Sequence, residues 1–415
     1  MKAELLTIGD EILLGQIVNT NAVFISRKLV KIGIDPRWIT VVGDSEGEIL
    51  DALKIAFARA DVLVVTGGLG PTNDDITKYT VAKFFNSPIV LNTDLYEKLQ
   101  KRFTERGRVM PEVNRNQAEV PQKATILPNP IGTAPGLLFQ ESGKFCFVLP
   151  GVPAEMERLL QGSVIPFLSA HASSEKNCLS YKTLRTTGIF ESKLMEKLGD
   201  LQPIQRLVSL AFLPHYYGVD LRLTVKSSSK TDCTERLREA EKLIRGRIDS
   251  YIYGVDDETL EQKVAELLVK ANARVAVAES CTGGLLSHKL TNVPGSSDYF
   301  LGGVVAYSNS AKMDVLGVQA NTLRQFGAVS EQTAKEMAEG VRNLLKADFG
   351  LSTTGIAGPS GGTKEKPVGL VYIGFSDGTS ITAKKLIFTN DRLANKERSS
   401  YAALELIRRH LQKII

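Results

Sequence analysis

Short apolar runs alternate with amphipathic stretches along the first 170 residues. Residues 3–8 read as a buried strand. Residues 21–32 read as an amphipathic helix whose apolar stripe is Val23, Ile25, Leu29 and Val30. A strand at 38–42, a helix at 48–60 and a short strand at 61–65 follow, the last apolar after its charged first residue. Such alternation predicts a parallel sheet with helices on both faces. Strands that are apolar throughout fit it, because neither face of such a sheet meets water. The pattern changes near residue 171. The stretch HASSEKNC is polar and linker-like, 181–187 and 219–225 alternate as strands, 192–198 reads as a short helix and 236–247 as a charged one. From residue 257 the α/β pattern returns. It has a helix at 257–271, a strand at 274–278, a helix at 283–290, strands at 349–353, 369–375 and 381–388, and a closing helix at 394–412. The expected fold class is therefore α/β. Two three-layer domains with parallel sheets, residues 1–170 and 256–415, are joined by a small α+β module, residues 171–255. That module resembles a KH-like domain but has no GxxG loop, so a spacer or dimerisation role fits it better than RNA binding.

Composition narrows the function classes. The 415 residues are 43% hydrophobic and 23% charged, which is ordinary globular composition. The net charge is +5, from 51 basic and 46 acidic residues. The charge is dispersed, which argues against a nucleic-acid binder. No apolar run approaches the ~20 residues that a membrane helix needs. The opening MKAELLTIGDEILLGQ has two glycines and three acids where a signal peptide has a basic start and an apolar run, so a cytoplasmic location is expected. Four scattered cysteines without a CxxC pair and four scattered histidines give no spacing for zinc and no reason to expect disulfides.

The information lies in glycine loops at strand ends. Thr66-Gly67-Gly68-Leu69-Gly70-Pro71 follows a buried strand directly, with Asp74, Asp75 and a helix from Ile76 beyond. Parallel sheets bind ligands at the carboxyl ends of their strands. Glycines there let backbone amides approach phosphate oxygens. A tight turn with an aspartate cap reads equally well from the loop alone. Gly9-Asp10-Glu11, with Asn21 beyond, closes the first strand, and Gly43-Asp44 closes the second. Three strand ends thus offer acids at one edge. Carboxylates facing a phosphate need a cation between them. A Mg²⁺-type metal, with Asp44 and Asp75 as ligands, and a nucleotide diphosphate are the expectation.

These stretches carry a resemblance. TIGDEILLGQIVNTN, VGDSEGEI and TGGLGPTNDD look like the molybdopterin-binding (MoCF) fold of the molybdopterin adenylyltransferases, whose functional aspartates match Asp44 and Asp75. With LPNPIGTAPG and LPGVPAEM, the pattern resembles the competence/damage-inducible protein A (CinA) family. That resemblance implies an N-terminal ADP-ribose pyrophosphatase rather than molybdopterin chemistry. Nothing in these residues points to a DNA role.

The second candidate is Ser280 in AESCTGG, on a sharp turn between a strand and a helix. Amides near Thr282 and Gly283 are placed to stabilise an oxyanion. Serine needs a base, and no histidine is placed for it. Lys312, in VVAYSNSAK, serves if burial depresses its pKa. On the residues alone Ser280 reads equally as a helix N-cap and Lys312 as a solvated helix residue. Cys281 is either a rival nucleophile or a small residue packed behind the loop. AESCTGG, GSSDYFLGGVVAYSNSAK, GAVSEQTAKEMA, TGIAGPSGGT and EKPVGLVYIG together resemble the CinA C-terminal domain. Members of that domain family resemble nicotinamide-nucleotide amidohydrolases. The resemblance implies Ser280 as nucleophile, Lys312 as base, and Tyr307, Thr354 and Arg392 as further catalytic positions, with Gly283, Gly284 and Gly355 in the substrate loops. It implies two small-molecule nucleotides as partners, nicotinamide mononucleotide and ADP-ribose. No metal is needed at the serine site. A homodimer is expected by analogy.

Overall fold

The computed structural model describes residues 1–72, 75–105, 107–171 and 178–414. Asp74 and most of the polar stretch at 171–177 lie outside the described residues. Two compact units emerge. One is Met1–Ser180 with Lys226–Thr234; the other is Tyr181–Val225 with Glu235–Ile415.

The first unit holds a six-stranded sheet. Its strands are β1 (Lys2–Ile8), β2 (Asp35–Val42), β3 (Val62–Thr66), β6 (Thr125–Leu127), β7 (Gly136–Glu141) and β8 (Lys144–Leu149), in the order β2-β1-β3-β8-β7-β6. A ribbon of β4 (Ile89–Leu91) and β5 (Glu119–Pro121) stands apart. The expected parallel pairing holds across β2, β1, β3 and β8. The far edge is antiparallel, because β7 and β8 are joined by a two-residue turn. Ser142 and Gly143 both have positive φ, 53° and 74°, which suits a tight hairpin. Successive residues of a strand face opposite sides. Ala3 and Leu5 pack with Ala22, Ile25 and Leu29 of the helix Thr20–Lys31. Leu6 and Ile8 pack with Ile49, Leu53 and Ala56 of the helix Glu46–Arg59. This makes three layers.

The second unit repeats the plan. Its five-stranded sheet has the order β14-β13-β15-β16-β17, formed by β13 (Val275–Glu279), β14 (Phe300–Val305), β15 (Phe349–Gly355), β16 (Leu370–Ser376) and β17 (Ile381–Ile387). The pairs β13–β14 and β13–β15 are parallel, and β15–β16–β17 are antiparallel. Val275 and Val277 face the helices Leu260–Lys270 and Arg392–Leu411, whereas Ala276 and Ala278 face Met337 and Val341 of the helix Glu331–Leu345.

The same unit contains most of the α+β module. Strands β9 (Cys178–Thr186), β10 (Ser209–His215), β11 (Gly218–Ser227) and β12 (Ile252–Val255) form a sheet in the order β10-β11-β9-β12, beside the helix Lys230–Ile248. Tyr217 enters the core of the five-stranded sheet. Arg408 is fully buried, donates to the Ser250 carbonyl at 2.8 Å and pairs with the buried Glu405. Among the described residues no helix is long and apolar enough to cross a membrane.

Candidate active sites at two strand-end turns

Ser280 follows β13 directly, and strand pairing fixes it from both sides. Its amide donates to the Thr353 carbonyl at 2.9 Å, while the amide of Ala306 donates to the Glu279 carbonyl at 2.9 Å. The register that aligns Glu279 with Val305 and with Thr353 thus sets Ala306 and Tyr307 beside Ser280. The chain turns at Ser308, whose side chain caps the helix Asn309–Asp314. That helix returns Lys312 to the strand end. Lys312 Nζ stands 3.1 Å from Ser280 Oγ and donates to the carbonyls of Ala306, at 2.8 Å, and Tyr307, at 3.2 Å. The side chain is 1% exposed, so the solvated reading of Lys312 does not hold. Burial holds its pKa below the ordinary lysine value. An ammonium would fill all three contacts. A neutral amine donates to the two carbonyls and keeps its lone pair for the Ser280 proton.

The N-cap reading of Ser280 is also displaced. The helix Leu285–Thr291 begins after Gly284, and the cap comes from Glu279. Its fully buried carboxylate accepts from the amides of Gly284, Leu286 and Ser287 and from the Ser287 hydroxyl. Negative charge at a helix N-terminus is favourable. The amides of Thr282 and Gly283 lie outside that cap. Cys281 packs in the core, and burial pushes its thiol up to about 12, so it stays protonated at neutral pH.

The other predicted positions fall into place unequally. Tyr307 is 63% exposed, and its hydroxyl meets Arg392 Nη2 at 3.3 Å. Arg392 Nη1 donates to the Gly358 carbonyl. Thr354 is buried and gives its hydroxyl to the Ala328 carbonyl at 2.7 Å. Its neighbour Thr353 is the one joined to the serine turn, through a 2.7 Å contact with the Thr282 hydroxyl. Gly355 ends β15 and packs against β16, with no room for a Cβ beside the Leu370 carbonyl.

The first unit's turn closes a cavity of about 520 Å³. Gly9, Glu11, Asn21, Asp44, Thr66, Gly67, Gly68, Gly70 and Asp75 all line it; Asp10 does not. A Cβ on Gly67 would stand 2.1 Å from the Ile8 carbonyl, and φ there is +106°. The turn therefore requires glycine. Asp10 and Asp44 exchange bonds: the Asp10 amide donates to Asp44 at 3.1 Å, and the Asp44 amide to Asp10 at 3.3 Å. Asp75 accepts from the amides of Gly70, at 2.7 Å, and Thr72, at 2.9 Å. Asn21 Nδ2 donates to the Gly151 carbonyl. Acids from all three strand ends, Glu11, Asp44 and Asp75, thus border one cavity. Among the described residues no three such groups stand close enough to hold a metal. A fourth carboxylate, Glu155, which the strand-end pattern does not single out, also lines the cavity. Its signal was LPGVPAEM, where Pro153 opens the helix Pro153–Leu159. Among the described residues no lysine or arginine lines this cavity. Hard carboxylate donors of this kind fit Mg²⁺, which is commonly held by one or two carboxylates with substrate phosphates.

Comparison with known proteins places the whole chain. Residues 4–170 match the probable molybdopterin binding domain, 181–254 the damage-inducible protein CinA KH domain, and 257–411 the CinA C-terminal domain. A putative competence-damage inducible protein of Caldicellulosiruptor saccharolyticus is 45% identical over 409 residues, covering 99% of each chain. The chain belongs to the CinA family. Another member, a CinA-like protein of Chloroherpeton thalassium, is 45% identical over 98% of this chain and 99% of its own. The crystal structure of competence/damage inducible protein CihA from Agrobacterium tumefaciens is 39% identical, covering 37% of this chain and 93% of that one, with a TM-score of 0.36. The MoCF-like and CinA domains of this chain imply a hydrolase-type enzyme that binds small, nucleotide-type molecules.

Proposed function

We propose that the C-terminal site deamidates nicotinamide mononucleotide to nicotinate mononucleotide and ammonia. The observation that carries this reading is the buried Lys312 amine 3.1 Å from Ser280 Oγ, with no carboxylate paired to it among the described residues. A neutral Lys312 takes the Ser280 proton as Oγ bonds to the carboxamide carbon, and the carbonyl π pair moves to oxygen. The amides of Thr282 and Gly283 are the donors available to that oxyanion. When the C–N bond breaks, Lys312 returns the proton to the departing ammonia. Water then attacks the acyl-serine, Lys312 accepts its proton, and Ser280 leaves with that proton restored. The exposed ring of Tyr307 supports a cationic pyridinium substrate, since a π face attracts a cation. The test is ammonia release from nicotinamide mononucleotide by the full chain. Release no faster than from Ser280→Ala protein would refute the reading.

A second reading concerns the first unit, which we propose cleaves the diphosphate of ADP-ribose. The carboxylate-lined cavity without a basic side chain favours it, because a diphosphate there requires a cation. Asp44 and Asp75 would hold a divalent ion, which when bound would offset the phosphate charge. The glycine turn at 67–70 leaves space for the diphosphate against backbone, and Asn21 and Glu155 border it. Formation of AMP from ADP-ribose, with and without Mg²⁺, tests this reading; no AMP with Mg²⁺ present would sink it.

A further inference from the structure

We infer that Glu279 is the positioning residue of the serine site, holding the turn 280–284 so that the amides of Thr282 and Gly283 face the oxyanion. The inference rests on the amidohydrolase reading and deepens it. Both ends of the turn close on this one residue. On the strand side, the Glu279 carbonyl accepts from the Ala306 amide at 2.9 Å, which fixes its backbone in the sheet. On the helix side, its carboxylate reaches five residues on to the Gly284 amide, also at 2.9 Å. Gly283 and Gly284 both have positive φ, 59° and 95°. Among the described residues no group accepts from the Thr282 or Gly283 amide. Those two amides are therefore free, and what aims them is the clamp at the ends of the turn.

The carboxylate is fully committed to that clamp. It is buried, and its two oxygens meet four donors. Oε2 accepts from the amides of Gly284 and, at 3.1 Å, Leu286. Oε1 accepts from the Ser287 amide at 2.8 Å and the Ser287 hydroxyl at 2.7 Å. The neighbouring strand β14 makes room for this, since a Cβ on Gly303 would stand 2.2 Å from Ser287 Oγ. None of these four contacts reaches Ser280 or Lys312, so Glu279 acts through the turn and not on the reacting atoms. A neutral amide cannot replace it. The nitrogen of a glutamine in the place of Oε2 would face two amide N–H groups. In the place of Oε1 it would face one, with the Ser287 hydroxyl turned to accept. In either case at least one helix amide is left unbonded in the core, and the turn shifts to relieve it.

The test compares Glu279→Gln with wild type in the full chain, by ammonia release from nicotinamide mononucleotide and by inhibition with 3-pyridylboronic acid. The boronic acid bonds boron to Ser280 Oγ, and the tetrahedral adduct carries negative charge as the transition state does. In Glu279→Gln kcat falls about 10- to 100-fold, as when oxyanion donors move by up to about 1 Å. KM stays within about threefold, the split expected of an interaction made only in the transition state. The Ki of the boronic acid rises in proportion to the loss in kcat. Ser287→Ala, which removes only the hydroxyl donor, gives the same split on a smaller scale. A merely structural glutamate lowers the amount of folded protein and leaves the boronic acid Ki at its wild-type value; that result, or an unchanged kcat, overturns the inference while leaving the amidohydrolase reading intact. If Glu279→Gln does not fold, Ser287→Ala decides: wild-type kcat and boronic acid Ki in that variant overturn the inference. Wild-type protein that releases no ammonia from the mononucleotide overturns both.

Discussion

Replacing Lys312 with methionine tests the proposed chemistry and the packing together. Methionine approximates the length of the lysine stem but has no donor and no basic lone pair. If Lys312 is the base for Ser280, kcat falls on the order of 10³-fold or more, as for other nucleophile–base pairs that act as a unit. The structure also sets the cost in stability. The carbonyls of Ala306 and Tyr307 each lose a hydrogen bond, worth about 1 kcal/mol apiece, so the variant is expected to be about 2 kcal/mol less stable where the amine is neutral in both the folded and the unfolded chain. That difference depends on pH, with a sign that follows from burial. The folded-state pKa of Lys312 is lowered from 10.5. Between that lowered value and 10.5 the unfolded chain holds a proton that the folded chain lacks, so stability rises with pH. Below the lowered value both states are protonated and the slope vanishes. Wild type should therefore gain on the methionine variant by up to about 1.4 kcal/mol per pH unit inside that window. Denaturant titrations at several pH values read this, and an ammonia assay reads kcat. Wild-type kcat/KM should rise with pH through the lysine pKa and level off. Activity in the variant within tenfold of wild type, or a wild-type rate that climbs as pH falls, would refute the base assignment.

Three further outcomes are expected. Ser280→Ala abolishes deamidation and Cys281→Ala retains it, because the buried thiol stays protonated; the reverse pattern in folded protein would move the nucleophile by one residue. Asp75→Asn, or a chelator acting on wild type, stops diphosphate cleavage and leaves ammonia release near its original rate, as read by the two assays on one preparation; equal loss of both would show that the sites are coupled. A piece covering residues 181–415 folds and deamidates, whereas 256–415 alone is less stable to denaturant, since it loses Tyr217 from its core and the Ser250 acceptor of Arg408; equal unfolding midpoints for the two pieces would contradict this.

Strand-end glycine turns were legible in the sequence because strand–loop–helix periodicity locates them without any tertiary information. Ser280 and the cavity-lining glycines 67, 68 and 70 are where that reasoning put them. What it could not supply was the direction of individual side chains. Lys312 sits on a six-residue helix with too few turns to display an apolar face, and two carbonyls draw it inward from five and six residues away. Adjacent threonines on β15 face opposite sides, so only coordinates show that Thr353 meets the serine turn while Thr354 meets Ala328. Glu279 escaped notice for a similar reason. A glutamate at a strand end reads as a solvated rim residue until three helix amides are seen to surround it. The antiparallel pairs β7–β8 and β16–β17 follow from short hairpin connections, which helix–strand alternation alone does not reveal.

The two sites solve the same problem with opposite charge. Each lies where a buried strand opens into a glycine turn, and a phosphorylated nucleotide is the substrate proposed for each. In the first unit the cavity is lined by Glu11, Asp44, Asp75 and Glu155, so an anionic substrate needs a cation brought in with it. At the serine site the Arg392 guanidinium stands beside Tyr307, and the nearby acid Glu279 is occupied by the N-terminus of the helix Leu285–Thr291. That arrangement matters for the chemistry and not only for binding. A carboxylate free to pair with Lys312 would hold the amine protonated and useless as a base. With Glu279 held by helix amides, the fold keeps an acid one residue from the nucleophile while Lys312, among the described residues, has only carbonyl partners besides Ser280. Burial then lowers the lysine pKa, the direction that a lysine base requires.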